Sequence, residues 1–275
     1  MEGSLVRMCT AAPDLSHFPN LFYLGPQRTG STWLHANMVR HPEIHLHRDK
    51  ETFYFSTLGR PDHPRYRFAF LEDYLGSFRE TPTELLAKNY HSLRRCGRLY
   101  RPKIRGEFTA SYGVLPPDVI AEIIRLQPAL RGIILVRDPI DRAWSHAKKD
   151  LVRGRAQPAS PAQMVEFCRS AEQLERADYV GIMARWRKAL RPGHLLVAPY
   201  ARIGADPEGL LDDISGFLGV GRIGGASKRH VFTRQNVTSG EAIPPDSREQ
   251  LEVLLGGAQA SCRELLEEIG LAKIY

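Results

Sequence analysis

Between the apolar run Leu21-Phe22-Tyr23-Leu24 and the segment Ser31-Thr32-Trp33-Leu34 the chain places Gly25-Pro26-Gln27-Arg28-Thr29-Gly30. An apolar run ended by Gly-Pro reads as a buried strand. The residues after the loop, stopped by His41-Pro42, predict a helix over 31–40 that Ser31 and Thr32 can cap. A glycine-bearing loop between strand and helix gathers backbone N–H groups and the positive helix end around one point. Such a loop is a cradle for an anionic group. It also demands a strand buried inside a layered α/β fold.

The rest of the chain supplies those layers. Gly132-Ile133-Ile134-Leu135-Val136 is the clearest buried strand, with further strands expected over 43–47, 104–112 and 194–199. Helices are expected over 67–78, 82–95, 117–127, 139–153, 163–190, 207–218 and 246–269, several opened by proline at the first turn. Strands separated by helices predict a central parallel β-sheet flanked by helices, with both faces covered. The Pro/Ala-rich break at 156–162 is too short for a linker, and no internal repeat or low-complexity tract is present. A single α/β domain over 20–275, preceded by an N-terminal extension over 1–19, is the expectation.

Composition closes off other classes. Hydrophobic residues at 43% and charged residues at 25% exclude global disorder, collagen and coiled coil. No window approaches the length of a transmembrane span, so no membrane anchor is expected. The first twenty residues carry no apolar core of a signal peptide, which predicts a cytoplasmic protein. The cysteines Cys9, Cys96, Cys168 and Cys262 have no CxxC or zinc spacing, so reduced thiols and no metal site are expected. A net charge of +7 points to an anionic partner.

The loop is close to the pattern G-x-x-x-x-G-K-[ST], but Ser31 stands where a nucleotide kinase or ATPase has its Lys. It resembles instead the 5′-phosphosulfate loop of sulfotransferases that use 3′-phosphoadenosine-5′-phosphosulfate (PAPS), with Arg28-Thr29-Gly30-Ser31-Thr32-Trp33 following that pattern. Ile134-Leu135-Val136-Arg137-Asp138-Pro139 with Arg142-Ala143-Trp144-Ser145 is similar to the family's second element, in which an Arg at a strand end and a later Ser hold the 3′-phosphate. The spacing places Ser145 roughly two turns into the following helix. Lys50-Glu51-Thr52-Phe53-Tyr54-Phe55 and Gly106-Glu107-Phe108-Thr109-Ala110-Ser111-Tyr112 resemble stretches of the heparan-sulfate-type branch. Several bacterial members also finish with a helix like 246–269.

The resemblance implies a PAPS-dependent sulfotransferase that passes a sulfuryl group to a hydroxyl, or less commonly an amine, of a small-molecule, glycan or glycolipid acceptor. A bacterial cytoplasmic enzyme with no metal requirement and no nucleic-acid partner is the corresponding expectation. Arg28, Thr29, Gly30, Ser31 and Thr32 would hold the 5′-phosphosulfate, Arg137 and Ser145 the 3′-phosphate. Lys228 and Arg229 would close over that phosphate and the adenine, on which Trp33 stacks unless it belongs to the core. Glu51 would be the general base and Arg28 an electrostatic partner of the transferring group. Lys50, Phe53, Glu107 and Tyr112 would touch the acceptor. Phe108 stands where relatives have an acceptor-contacting Lys, which argues against a strongly anionic glycan. His146 is the rival base, and Glu51 could instead simply pair with a nearby cation. His45 and His47 are expected to be exposed side chains.

Two alternatives stand beside this reading. A P-loop kinase or NTPase lacks support from a Lys after Gly30 and from an acid after Val136. The other is a non-catalytic binder of anionic glycan or nucleic acid that keeps the fold. The basic run from Lys88 to Arg105 contains no acid and reads by default as a solvated helix face, next as a contact for an anionic acceptor, and last as one for nucleic acid.

Overall fold

The computed structural model describes residues 5–152, 155–223 and 242–271. Five strands form its one sheet: β1 (Leu21–Gly25), β2 (Ile44–Leu46), β3 (Ile104–Glu107), β4 (Arg131–Val136) and β5 (Leu195–Pro199). Their spatial order is β2-β3-β1-β4-β5, and every pairing is parallel. The first strand is therefore central, as its uninterrupted apolar character requires. Alternation along β1 sends Leu21 and Tyr23 into one core cluster and Phe22 and Leu24 into another, one on each face of the sheet.

The helices cover both faces. Among the described residues they are α1 (Ser31–Met38), α2 (Leu71–Gly76), α3 (Pro82–Cys96), α4 (Pro117–Leu126), α5 (Pro139–Ala147), α6 (Pro161–Arg169), α7 (Ala171–Ala177), α8 (Tyr179–Ala189), α9 (Arg202–Ala205), α10 (Pro207–Leu218) and α11 (Pro245–Glu268). Helices α1 and α10 pack with Leu21 and Tyr23, while α2, α4, α8 and the end of α11 pack with Phe22 and Leu24. A third cluster joins α5 and α6 to the start of α11. The single-domain α/β fold with a parallel sheet is as the sequence predicts.

Three expectations change. The helix expected over 163–190 is three helices, because Ser170 and Asp178 hold extended ψ values of 144° and 74°. Asp178 then caps α8 by accepting from the Gly181 N–H at 2.8 Å. The helix expected over 139–153 ends at Ala147 and continues as a π-helical turn over Lys148–Val152. Helix α1 is capped by neither Ser31 nor Thr32; Gly30 at φ 88° is its N-cap. The described part of the N-terminal extension is packed down: Val6 and Phe18 are buried, and the Leu71 N–H donates to the Arg7 carbonyl at 2.8 Å.

Gly25, at the exit of β1, marks how tightly the loop is set against the sheet. Its φ is +81°, and a Cβ there would lie 2.0 Å from the Ala110 carbonyl oxygen. Gly25→Ala combines left-handed strain with a backbone clash. It is expected to destabilise the protein by more than about 2 kcal/mol, read from the urea midpoint at unchanged slope.

Candidate active site

The site lies beyond the C-terminal ends of β1, β4 and β5, where open parallel sheets bind ligands. Gly25 to Gly30 turn away from β1 and deliver the first-turn amides of α1, which have no acceptor within the helix. Gly30 sits against the end of β5: a Cβ there would meet Ile203 Cδ1 at 2.3 Å and the Tyr200 ring at 3.3 Å. Thr29 has no exposed surface, and its hydroxyl donates to the Pro26 carbonyl at 2.6 Å and lies 2.6 Å from Tyr23 Oη. It braces the loop from inside and leaves only its backbone to an anion. Ser31 and Thr32 follow in the first turn, with Thr32 Oγ1 accepting from Lys50 Nζ at 2.7 Å.

The two elements that the sequence sets far apart meet here. Arg28 Nε donates to Ser145 Oγ at 2.9 Å, and Arg137 Nη1 donates to the Arg28 carbonyl at 3.0 Å. Arg137 leaves the end of β4 with its guanidinium 4.8 Å above the Tyr200 ring, a cation–π contact. Its backbone N–H donates to Tyr179 Oη at 3.2 Å. Asp138 caps α5 by accepting from the Ile140 and Asp141 amides, both at 2.9 Å. Arg137 thus faces the loop while its neighbour starts the helix that carries Ser145. Trp33, by contrast, is 3% exposed and belongs to the core under the sheet.

A second group of charges borders the loop. Burial lowers the Lys50 ammonium from its ordinary value, Glu51 raises it, and Lys149 and Arg28 lower it further. Four charged side chains are therefore within electrostatic reach of one another at the mouth of the loop. Glu51 is part-exposed, with Arg65 Nη1 3.9 Å from its Oε2, the outer limit of an ion pair. The Arg65 guanidinium also lies 4.4 Å above the Phe53 ring, and Phe53 itself holds a left-handed φ of 57°.

Beneath this segment is Glu107, which has no exposed surface. Its carboxylate accepts hydrogen bonds from Thr52 Oγ1 and Tyr74 Oη, and from Thr109 Oγ1 at 2.6 Å. Thr109 Oγ1 in turn accepts from the Thr52 N–H at 3.0 Å. Tyr112 is equally buried, and its hydroxyl accepts from the Phe55 N–H at 3.2 Å. Glu107 and Tyr112 accordingly offer no surface to an acceptor, contrary to expectation; they hold the 50–55 segment in place. Phe108 is also inside, stacked on Tyr23 at 5.2 Å and edge-on to His35 at 5.4 Å. Burial, with Lys50 adding to it, lowers His35 to about 4, so this histidine beside the loop is neutral at physiological pH.

The histidines expected elsewhere also find partners. His146 is 5% exposed, with Nδ1 against the Gln173 side chain and Nε2 3.3 Å from Asp150. Both of its ring nitrogens are thus engaged within the protein. His45 and His47 are buried rather than exposed, because Ser77, Phe78 and Glu80 between α2 and α3, with Lys88 of α3 and Tyr100, close over them. His45 Nδ1 lies 3.0 Å from Tyr100 Oη, and His47 Nε2 lies 2.9 Å from Ser77 Oγ. Lys228 and Arg229 lie outside the described residues. Tyr200, Arg65 and Lys149 border the site without having been singled out in the sequence; for Tyr200, its place just after a strand end was the available signal. Among the described residues no cluster of His, Cys, Asp and Glu could hold a metal ion, and no helix is long and apolar enough to cross a membrane.

A family model described as the sulfotransferase family matches residues 19–222. Among solved structures, a sulfotransferase from Alicyclobacillus acidocaldarius has a TM-score of 0.62 at 22% identity, covering 90% of this chain and 96% of that one. A mouse sulfotransferase complexed with PAP has a TM-score of 0.52 at 17% identity, covering 90% of this chain and 89% of that one. No curated protein matches the chain at the level of sequence. The structural likenesses establish the shared fold, and the family match spans the loop, the Arg137–Ser145 element and all five strands. This chain belongs to the sulfotransferase family.

Proposed function

We propose that this sulfotransferase takes its sulfuryl group from PAPS and passes it to a hydroxyl, or an amine, of a small-molecule, glycan or glycolipid acceptor. The observation that carries the reading is the Arg28–Ser145 and Arg137–Arg28 pair of hydrogen bonds, which brings two guanidinium groups and a helix N-terminus to one point. The donor set suits the molecule: two arginines, Lys50, the hydroxyls of Ser31, Thr32 and Ser145 and first-turn amides, with no carboxylate inside the loop. Gly30, at a left-handed φ of +88°, lets Ile203 and Tyr200 close against the loop where a Cβ would collide with Ile203. The mouse relative complexed with PAP agrees with a donor of this class.

PAPS would supply an activated sulfuryl group whose leaving phosphate departs as a stable anion. Arg28, Gly30, Ser31 and Thr32 would hold the 5′ end, while Arg137 and Ser145 hold the 3′-phosphate. Arg28 cannot release its proton near neutral pH, so its work is electrostatic. The acceptor oxygen forms its bond to sulfur in line with the breaking S–O bond, and its proton passes to the Glu51 carboxylate. Lys50, held against Thr32, links that carboxylate's segment to the loop and faces the charge that develops on the sulfuryl oxygens. Phe53 and Arg65 then form the wall on the acceptor side.

Two measurements test the reading. Calorimetry without Mg²⁺ is expected to show binding of adenosine 3′,5′-bisphosphate, weakened about tenfold or more by Arg137→Ala, the loss of a charge-assisted pair. An absence of binding at millimolar nucleotide would sink it. In an acceptor screen read by sulfate mass gain, Glu51→Gln is expected to keep that nucleotide affinity while kcat falls about 10²- to 10⁴-fold. Unchanged turnover would remove Glu51 as the base, and wild-type binding with no transfer to any acceptor would favour a non-catalytic binder.

A further inference from the structure

We propose that α3 docks this protein onto an anionic membrane surface. A surface helix ordinarily turns its apolar stripe to the core and its polar residues to water. Helix α3 does the reverse. Ser92 is its one buried residue, and its ties to the body are polar. Lys88 Nζ donates to Glu80 and lies 3.1 Å from His45 Nδ1; the Tyr100 N–H donates to Asn89 Oδ1 at 3.0 Å; Ser92 Oγ donates to the Arg98 carbonyl at 2.6 Å. Leu86, Tyr90 and Leu93 face water at 71%, 55% and 47% exposure. Their spacing stacks them into one stripe along the helix.

Cations border this stripe. Arg94 lies 5.7 Å from the Tyr90 ring centroid and donates to its hydroxyl at 3.0 Å, and Arg95 donates to the Arg40 carbonyl at 3.3 Å. Residues 85–105 contain no Asp or Glu. The acids that pair with Lys88 and Lys103 come from outside, Glu80 and Glu43. Arg94 and Arg95, among the described residues, bond neutral oxygens. An apolar stripe bordered by unneutralised guanidinium groups fits the boundary between anionic headgroups and acyl chains. Nucleic acid would satisfy the arginines and leave the leucines in water. A second copy packed symmetrically would cover the leucines but bring like charges together.

The proposal stands apart from the sulfuryl-transfer reading, since its test uses no donor. The full chain is expected to co-sediment with mixed phosphatidylcholine/phosphatidylglycerol vesicles, far less with phosphatidylcholine alone, and to be released by salt. Leu86→Glu with Leu93→Glu is expected to weaken vesicle binding at least about tenfold. Arg94→Gln with Arg95→Gln is expected to weaken it about 25-fold, each basic residue near such a surface contributing about fivefold. Both pairs are exposed, so circular dichroism and the thermal midpoint should hold; if the leucine pair fails to fold, the arginine pair carries the test. No vesicle binding, equal binding to both vesicle types, or undiminished binding by the arginine pair overturns the proposal. So does a dimer in sedimentation velocity that the leucine pair dissolves while vesicles bind nothing.

Discussion

A buried carboxylate survives in a protein interior only when its oxygens are answered by donors. Glu107 is answered by three hydroxyls, from Thr52, Tyr74 and Thr109, and these come from three different parts of the chain. The end of β3 is thereby fixed to α2 and to the segment that carries Lys50 and Glu51. Burial, with the Glu107 charge adding to it, pushes the Tyr74 hydroxyl far above its ordinary value. That direction favours the protonated hydroxyl that donates to Glu107. The 50–55 segment is held from below by this one side chain, and Lys50 on it reaches the loop.

The other side of the site depends on a different economy. Arg28 and Arg137 stand close together, joined through a backbone carbonyl and Ser145 rather than through an acid. Cations assembled in this way repel one another; Lys50 has a lowered proton affinity chiefly because it is buried, with Lys149 and Arg28 adding to the effect. A site of this kind is set in advance for negative charge, so little rearrangement is needed when charge arrives. The π-helical turn after α5 adds Lys149 to the same field without lengthening the helix.

The fold was largely legible because β1, β4 and β5 contain short, continuous apolar runs and α3, α4, α5, α6, α10 and α11 open on proline. The anion loop was legible because strand, glycine and helix follow one another directly. What escaped was set by packing between distant segments. His45 and His47 read as exposed because nothing near them in sequence announces that Phe78, Glu80 and Tyr100 lie across them. Glu107 and Tyr112 resemble acceptor-facing positions in motif, yet their neighbours Thr52, Phe55 and Tyr74 turn them inward. Ser170 and Asp178 were available as helix starts but lay inside a long amphipathic pattern that masked them. The basic run likewise hid its partial neutralisation, since Glu43 and Glu80 lie before it in the chain.

The central position of β1 has a consequence for how the molecule is made. Its neighbours are β3 and β4, so the cradle after β1 is complete only once strands encoded much later have docked on both sides. Contacts this distant in sequence form slowly and together. A nascent chain that has emerged as far as α4 holds the loop but not Arg137, Ser145 or Tyr200. Occupancy by a doubly phosphorylated nucleotide would thus report that the whole sheet has assembled, and would stabilise only chains that have reached that point.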